Sequence, residues 1–170
     1  MMNFLKKNIM GCVLALMLVL TGAAGVFAGE NAGSIELQLP EGYEGVEMTL
    51  YPVAQNVNGS FVCSGDFADS QIVIPDLNQA DKLQNVAEQL AAYIKEKGIT
   101  GFSAAAEGGG IYRVSNLAPA LYMAVQTGGE DVLQVQKSFI PIPYMADESG
   151  NISYDAVVAP KYTVPEGAGF

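Results

Sequence analysis

Carboxylates are the one reactive group this sequence carries in quantity: 18 Asp and Glu stand against eight Lys and Arg, with no histidine at all. The missing imidazole removes the usual general base and the commonest metal ligand. No serine is followed three residues later by lysine, and neither a GxSxG elbow nor a metalloprotease helix occurs. The acids are scattered over turns and outward strand positions, the pattern of a solvated, solubilising surface. A carboxylate-pair hydrolase would need two of them paired in space, and the chain has no Trp and few aromatics to line a sugar cleft. These residues describe a protein that is not an enzyme, with no catalytic residue, cofactor or metal site. Gly108-Gly109-Gly110 lacks the strand-to-helix context of a phosphate loop and reads as a turn. Asp147-Glu148-Ser149-Gly150-Asn151 fixes too few oxygen ligands for a calcium loop and reads as hairpin turn chemistry.

The N-terminus sets the compartment. Lys6-Lys7, the apolar run Ile9–Val19 and the small-residue site Val26-Phe27-Ala28 predict a secretory signal peptide over residues 1–28, cleaved after Ala28. Cleavage leaves six basic residues against 18 acidic ones, a net charge of −12 that repels phosphate backbones and excludes nucleic acid as a partner. No second apolar stretch of spanning length follows, so the mature chain is expected to have no membrane segment. Cys12 leaves with the leader and Cys63 remains alone, so the exported domain has no internal disulfide.

The elements that position these groups are mostly strands. After a short linker over residues 29–33, Ser34–Leu39 turns Ile35, Leu37 and Leu39 inward and Glu36 and Gln38 outward. Val46–Tyr51 repeats the alternation, and Asn58-Gly59 is a hairpin signal. Ser60–Phe67 and Gln71–Ile74 read as shorter strands. Between about 78 and 97 the period changes: Ala80, Leu83, Ala87, Leu90 and Ile94, widened by Val86 and Tyr93, form the apolar stripe of one amphipathic helix. Asn78 is its expected N-cap and Gly98 its left-handed stop.

Ile111–Val114 and Leu121–Val125 read as two strands joined through Pro119, the second apolar on both faces and so near a sheet centre. Val132–Pro143, with Pro141 and Pro143, suits an edge. Ile152–Pro160 closes a domain spanning 34–161, and residues 162–170 form a tail. Regularly spaced strands with one helical crossover predict a mainly β fold, a β-sandwich with one inserted amphipathic α-helix.

Four pieces of the sequence, in this order, resemble the N-terminal domain of sortase-assembled backbone pilins of Gram-positive bacteria. They are Val46–Tyr51 followed by Pro52-Val53-Ala54; Leu90-Ala91-Ala92-Tyr93-Ile94-Lys95-Glu96-Lys97-Gly98-Ile99; Tyr112-x-Val114-x-x-Leu117-x-Pro119-x-Leu121-Tyr122-Met123-Ala124-Val125-Gln126; and Tyr154-Asp155-Ala156-Val157-Val158-Ala159-Pro160-Lys161. The resemblance covers roughly Ser34 to Lys161 and implies an immunoglobulin-like sandwich of the collagen-adhesin B type. It implies a structural cell-surface protein, a pilin-like subunit or shaft domain. Its partners would be other pilin subunits and a pilin sortase, and it would act in adhesion at a cell wall or pilus. The alternative is a stand-alone secreted binding module, adhesin-like, that recognises a host protein or glycan.

In that family a lysine of a Tyr-Pro-Lys-type motif attacks the acyl-sortase intermediate and forms an intermolecular isopeptide bond. Pro160-Lys161 falls at that place, which makes Lys161 the candidate acceptor; Ala159 stands where the family often has an aromatic. Many such sandwiches also carry an intramolecular Lys–Asn isopeptide bond promoted by a buried acid. Here Ser34–Leu39 has no lysine, Gln126 stands at the acid's place and Ser153–Ala159 has no asparagine, so no internal isopeptide bond is expected. Sortase substrates end in an LPxTG-like motif with an apolar anchor, of which Val164-Pro165-Glu166-Gly167 is a faint echo. The resemblance then implies either a piece of a longer pilin or a secreted relative that would cap a polymer.

Overall fold

Burial along the first strand follows the period of two set by Ile35 and Leu37: β1 (Gly33–Gln38) buries both side chains completely and leaves Glu36 and Gln38 toward solvent. The computed structural model describes residues 31–168; the expected signal peptide lies outside the described residues. β2 (Glu47–Val57) and β3 (Ser60–Cys63) form a hairpin around Asn58-Gly59, both at positive φ (53° and 87°), the conformation a two-residue primed turn requires. A 3-10 turn over Gly65–Ser70 follows. Gln71–Ile74 does not form the strand suggested by its apolar residues. Gln71 adopts a left-handed conformation (φ 60°) that ends any extended run, and Ile74 is buried by side-chain packing, not by pairing.

The helix α1 (Ala80–Lys97) buries Val86, Ala87 and Leu90, while Ala80, at the start of the expected stripe, is exposed. Gln79, not Asn78, is its N-cap, and no side chain caps it. The turn before it is closed by the backbone, Gln79 N–H donating to the Asp76 carbonyl at 3.0 Å. Gly98, at φ 64°, donates its N–H to the Ile94 carbonyl and stops the helix as a left-handed cap does.

The span before the Gly108-Gly109-Gly110 turn contains two strands the sequence did not announce, β4 (Phe102–Ser103) and β5 (Ala105–Gly108). These strands carry no apolar alternation to reveal them. β6 (Ile111–Leu117), β7 (Ala120–Gly128), β8 (Gln134–Val135) and β9 (Ser138–Ile142) follow. The chain closes through β10 (Tyr144–Met145), β11 (Ile152–Ser153), β12 (Asp155–Val158) and β13 (Tyr162–Thr163).

The first sheet has the order β12-β1-β6-β5, and the second has β3-β2-β7-β9 with β4 also on β2. β1 and β12 run parallel, with Ile35 opposite Ala156. The segment β4–β5 crosses from one sheet to the other, Ala104 N–H donating to the Met48 carbonyl at 2.8 Å on the way. β6 and β7, adjacent in sequence, lie in opposite sheets. Their corner is fixed by the Tyr122 hydroxyl, which donates to the Ala118 carbonyl at 2.7 Å, an arrangement like the tyrosine corner of immunoglobulin-type sandwiches.

Two cores result. Ile35, Leu37, Leu50, Leu117 and Tyr122 lie in the one between the sheets. Val53, Phe67, Leu90, Leu121 and Met123 fill the other, where the helix and the 3-10 turn cover the back of the second sheet. That sheet is therefore a middle layer, which explains why residues Ala120–Ala124 of β7 are all buried. The protein is mainly β, a sandwich with one inserted helix. Among the described residues no helix is long and apolar enough to cross a membrane.

Candidate functional site

Lys161 sits where the last core strand gives out. Ala156 of β12 points into the core, Pro160 is still buried, and Lys161 is exposed. The proline fixes φ and donates no N–H, so it stiffens this exit. Just beyond it the main chain is caught again: Gln136 N–H donates to the Lys161 carbonyl at 2.8 Å, and Tyr162 and Thr163 pair with Val135 and Gln134. The residues after Lys161, read from the sequence as the start of a tail, thus begin with a paired strand. The result is a lysine held at its carbonyl, between a buried proline and a paired strand, with an exposed side chain.

The strand that holds it is itself held by a side chain. Gln126, at the end of β7, donates from Nε2 to the carbonyls of Leu133 (2.7 Å) and Gly128 (3.0 Å) and accepts from Val135 N–H at 2.7 Å. Its amide is fully engaged, both donor hydrogens and the acceptor oxygen. At the position where the resembling family places an acid, this chain thus has a latch for the 128–135 loop. β1 carries no lysine and β12 no asparagine, and among the described residues no lysine is buried.

Lys161 also borders a surface groove of about 500 Å³, lined by Gln84 and Glu88 of α1, the β8 segment through Lys137, and Lys161–Thr163. Polar residues tie its two walls together. Gln136 Nε2 donates to Gln84 Oε1 at 3.0 Å, and Gln84 Nε2 donates to Glu88 Oε1 at 3.2 Å. Lys137 Nζ donates to the same carboxylate oxygen at 2.8 Å. Sequence reasoning singled out none of these four. Gln84 and Glu88 lie one turn apart on the polar face of the helix, where nothing in their types separates them from an ordinary solvated face.

The other groups with chemical potential are placed as structural parts. Cys63 is half-buried and donates to the Ile72 carbonyl (3.3 Å); burial pushes its thiol up, away from the reactive thiolate. Gly108, Gly109 and Gly110 all have positive φ and make the β5–β6 turn. A Cβ on Gly110 would overlap the Leu39 carbonyl, so only glycine fits there. The Asp147 carboxylate accepts from Ser149 N–H and from the Asn151 side chain, which closes the β10–β11 hairpin and holds its own pKa below the usual value. Among the described residues no cluster of His, Cys, Asp and Glu could hold a metal ion.

No family model matches the chain, and no curated protein matches it in sequence. Solved structures do match. Against the full-length major pilin SpaD of Corynebacterium diphtheriae the TM-score is 0.51 at 22% identity, over 79% of this chain and 30% of that one. Against a backbone pilin of Streptococcus pyogenes with a modular three-domain structure, the TM-score is 0.56 at 15% identity, over 81% of this chain and 29% of that one. This chain thus corresponds to about three-tenths of the length of each. In fold, the sandwich with its inserted helix is similar to a domain of Gram-positive backbone pilins.

Proposed function

We propose that this protein is a structural, non-catalytic subunit or shaft domain of a covalent pilus on a Gram-positive surface, with Lys161 as the acceptor amine. One observation carries the reading: in a pilin-like fold, an exposed lysine stands just past the last core strand, after Ala159 and Pro160, fixed through its carbonyl by Gln136. Among the described residues its ammonium has no ion-pair or hydrogen-bond partner. Such an amine is presented to an incoming enzyme without first having to break a contact.

The chemistry is acyl transfer from a pilin sortase that carries the preceding subunit as a thioester. The neutral Lys161 amine attacks the thioester carbonyl, a C–N bond forms and the C–S bond breaks. The nitrogen loses one proton, the enzyme's sulfur leaves as thiol after taking one up, and an intermolecular isopeptide bond remains. The activation of donor and leaving group belongs to the sortase; this chain supplies the positioned nucleophile.

The test is an immunoblot of boiled, denatured cell-wall and culture fractions from cells carrying the wild type or Lys161→Ala. A ladder of high-mass species that collapses in the variant is the expected result. A single soluble band in both would overturn covalent assembly and favour a secreted binding module for a host protein or glycan.

A further inference from the structure

Two lysines, not one, line the groove beside α1, and they differ in one respect. The Lys137 ammonium is bonded to Glu88 at 2.8 Å, with only 23% of its side chain exposed. Lys161 is exposed and, among the described residues, without such a partner. We propose that Glu88 determines which amine of this groove reacts with an acyl donor: it sequesters Lys137 and leaves Lys161 as the available nucleophile. This rests on the reading of the groove as an acceptor site, and it names the residue that sets the site's specificity.

The geometry supports a fixed device in place of a passing surface contact. Glu88 Oε1 accepts from both Lys137 Nζ and Gln84 Nε2, and Gln84 Oε1 accepts from Gln136 Nε2. Gln136 is the residue whose N–H holds the Lys161 carbonyl. One polar chain therefore fixes the carboxylate that captures Lys137 and the backbone that presents Lys161. An ammonium bound to a carboxylate must lose that bond before its nitrogen can attack a carbonyl. A lone surface pair would do this weakly; a carboxylate already held by its helix neighbour meets the lysine at a smaller entropic cost.

The test needs no sortase. The folded protein is treated at neutral pH with limiting N-hydroxysuccinimidyl acetate, and acetylation of each lysine is followed by peptide mass. In this probe reaction the amine displaces N-hydroxysuccinimide and releases one proton to buffer. In the wild type Lys161 is expected to label at least about five-fold faster than Lys137. Glu88→Gln, which keeps an acceptor for Gln84, is expected to raise Lys137 labelling about three- to five-fold, the range open to a partly exposed ion pair. The rates at Lys161 and at the exposed Lys82 at the start of α1 should not change, and Lys82 reports any general loosening of the helix. Equal labelling of Lys137 and Lys161 in the wild type would overturn the proposal. So would a Lys137 rate that Glu88→Gln leaves unmoved, or one that rises only in step with Lys82. Because the probe is a small ester, absence of a pilus ladder in the wild type with this selectivity intact would reject the acceptor reading alone. The converse result would reject the role of Glu88 alone.

Discussion

Leu121 and Tyr122 are neighbours on β7 and both are buried, yet they belong to different interiors: Tyr122 faces the first sheet and Leu121 faces the helix. The inner core is built from strands on both sides, so its residues follow a period of two through Ile35, Leu37, Tyr112 and Val114. The outer core is roofed by a helix, a 3-10 turn and the segment between them, whose contributions (Phe67, Ile74, Val86, Leu90) follow no common period. The two also differ at their margins. The inner core ends in paired strands, while the outer layer ends in a polar groove where helix side chains reach Gln136 and Lys137. The difference separates two tasks: the sandwich gives the domain its shape, and the helix layer builds the surroundings of Lys161.

The largest expected effect tests whether these layers can come apart. Leu121→Ala removes a fully buried side chain from the outer core and is expected to lower stability by about 2–5 kcal/mol. Because β7 serves both cores, helix and sandwich should still unfold together. Urea curves followed by far-UV circular dichroism and by tyrosine fluorescence should therefore shift equally and remain coincident. A helical signal lost well before the tyrosine signal would show that the outer layer is an independent appendage and that β7 does not couple the two cores.

A smaller effect is expected at the seam between the outer layer and Lys161. Gln126→Ala leaves Val135 N–H and the carbonyls of Leu133 and Gly128 without their side-chain partner, at a cost of about 1–3 kcal/mol. Amide exchange should quicken at Val135 and Gln136 before it does at Leu37 or Met123, since the latch holds a loop edge and not the core. Uniform acceleration would mean that Gln126 supports the whole sandwich. Gln126→Glu keeps the acceptor oxygen but loses the amide donors, so it should restore protection at Val135 only in part.

How much of this could be read from the residues depended on the kind of signal. The helix was legible because Leu83, Val86, Ala87, Leu90 and Ile94 repeat at helical spacing, and β7 was legible as a central strand because both its faces are apolar. β4 and β5 were not, since after the exposed Phe102 the run Ser103–Gly108 is made mostly of small residues without apolar alternation and is placed by backbone pairing with β2 and β6. Gln71–Ile74 misled because Ile74 is buried and Ile72 partly buried by packing in a segment that the left-handed Gln71 keeps from pairing. That Ile111–Leu117 and Ala120–Gly128 part into opposite sheets depends on a corner that sequence periodicity does not encode. The place of Lys161 was suggested by Pro160-Lys161 and family resemblance. Its groove was hidden because Gln84, Glu88, Gln136 and Lys137 lie some fifty residues apart, and polar residues at such a separation carry no pattern.

The smallest effect concerns the corner itself, where β6 hands the chain to β7. Tyr122→Phe keeps the ring in the inner core and removes only the hydroxyl that donates to the Ala118 carbonyl, an expected loss of about 0.5–1.5 kcal/mol near neutral pH. The pH dependence makes the test sharper. Burial raises the Tyr122 pKa from 10.0 to about 12, so the folded state holds the phenolic proton more tightly than the unfolded chain. The stabilisation linked to this proton is complete below pH 10, falls as the unfolded tyrosine ionises, and is lost once pH passes about 12. Tyr51 and Tyr112, also raised by burial, add to the same alkaline decline and remain in the variant. Stability of wild type and Tyr122→Phe should therefore differ little in slope from pH 7 to 9 and converge between 10 and 12, as the wild type loses what the phenylalanine never had. Parallel curves throughout that window would mean that the corner hydroxyl titrates freely, and that the crossing between the sheets is held by packing alone.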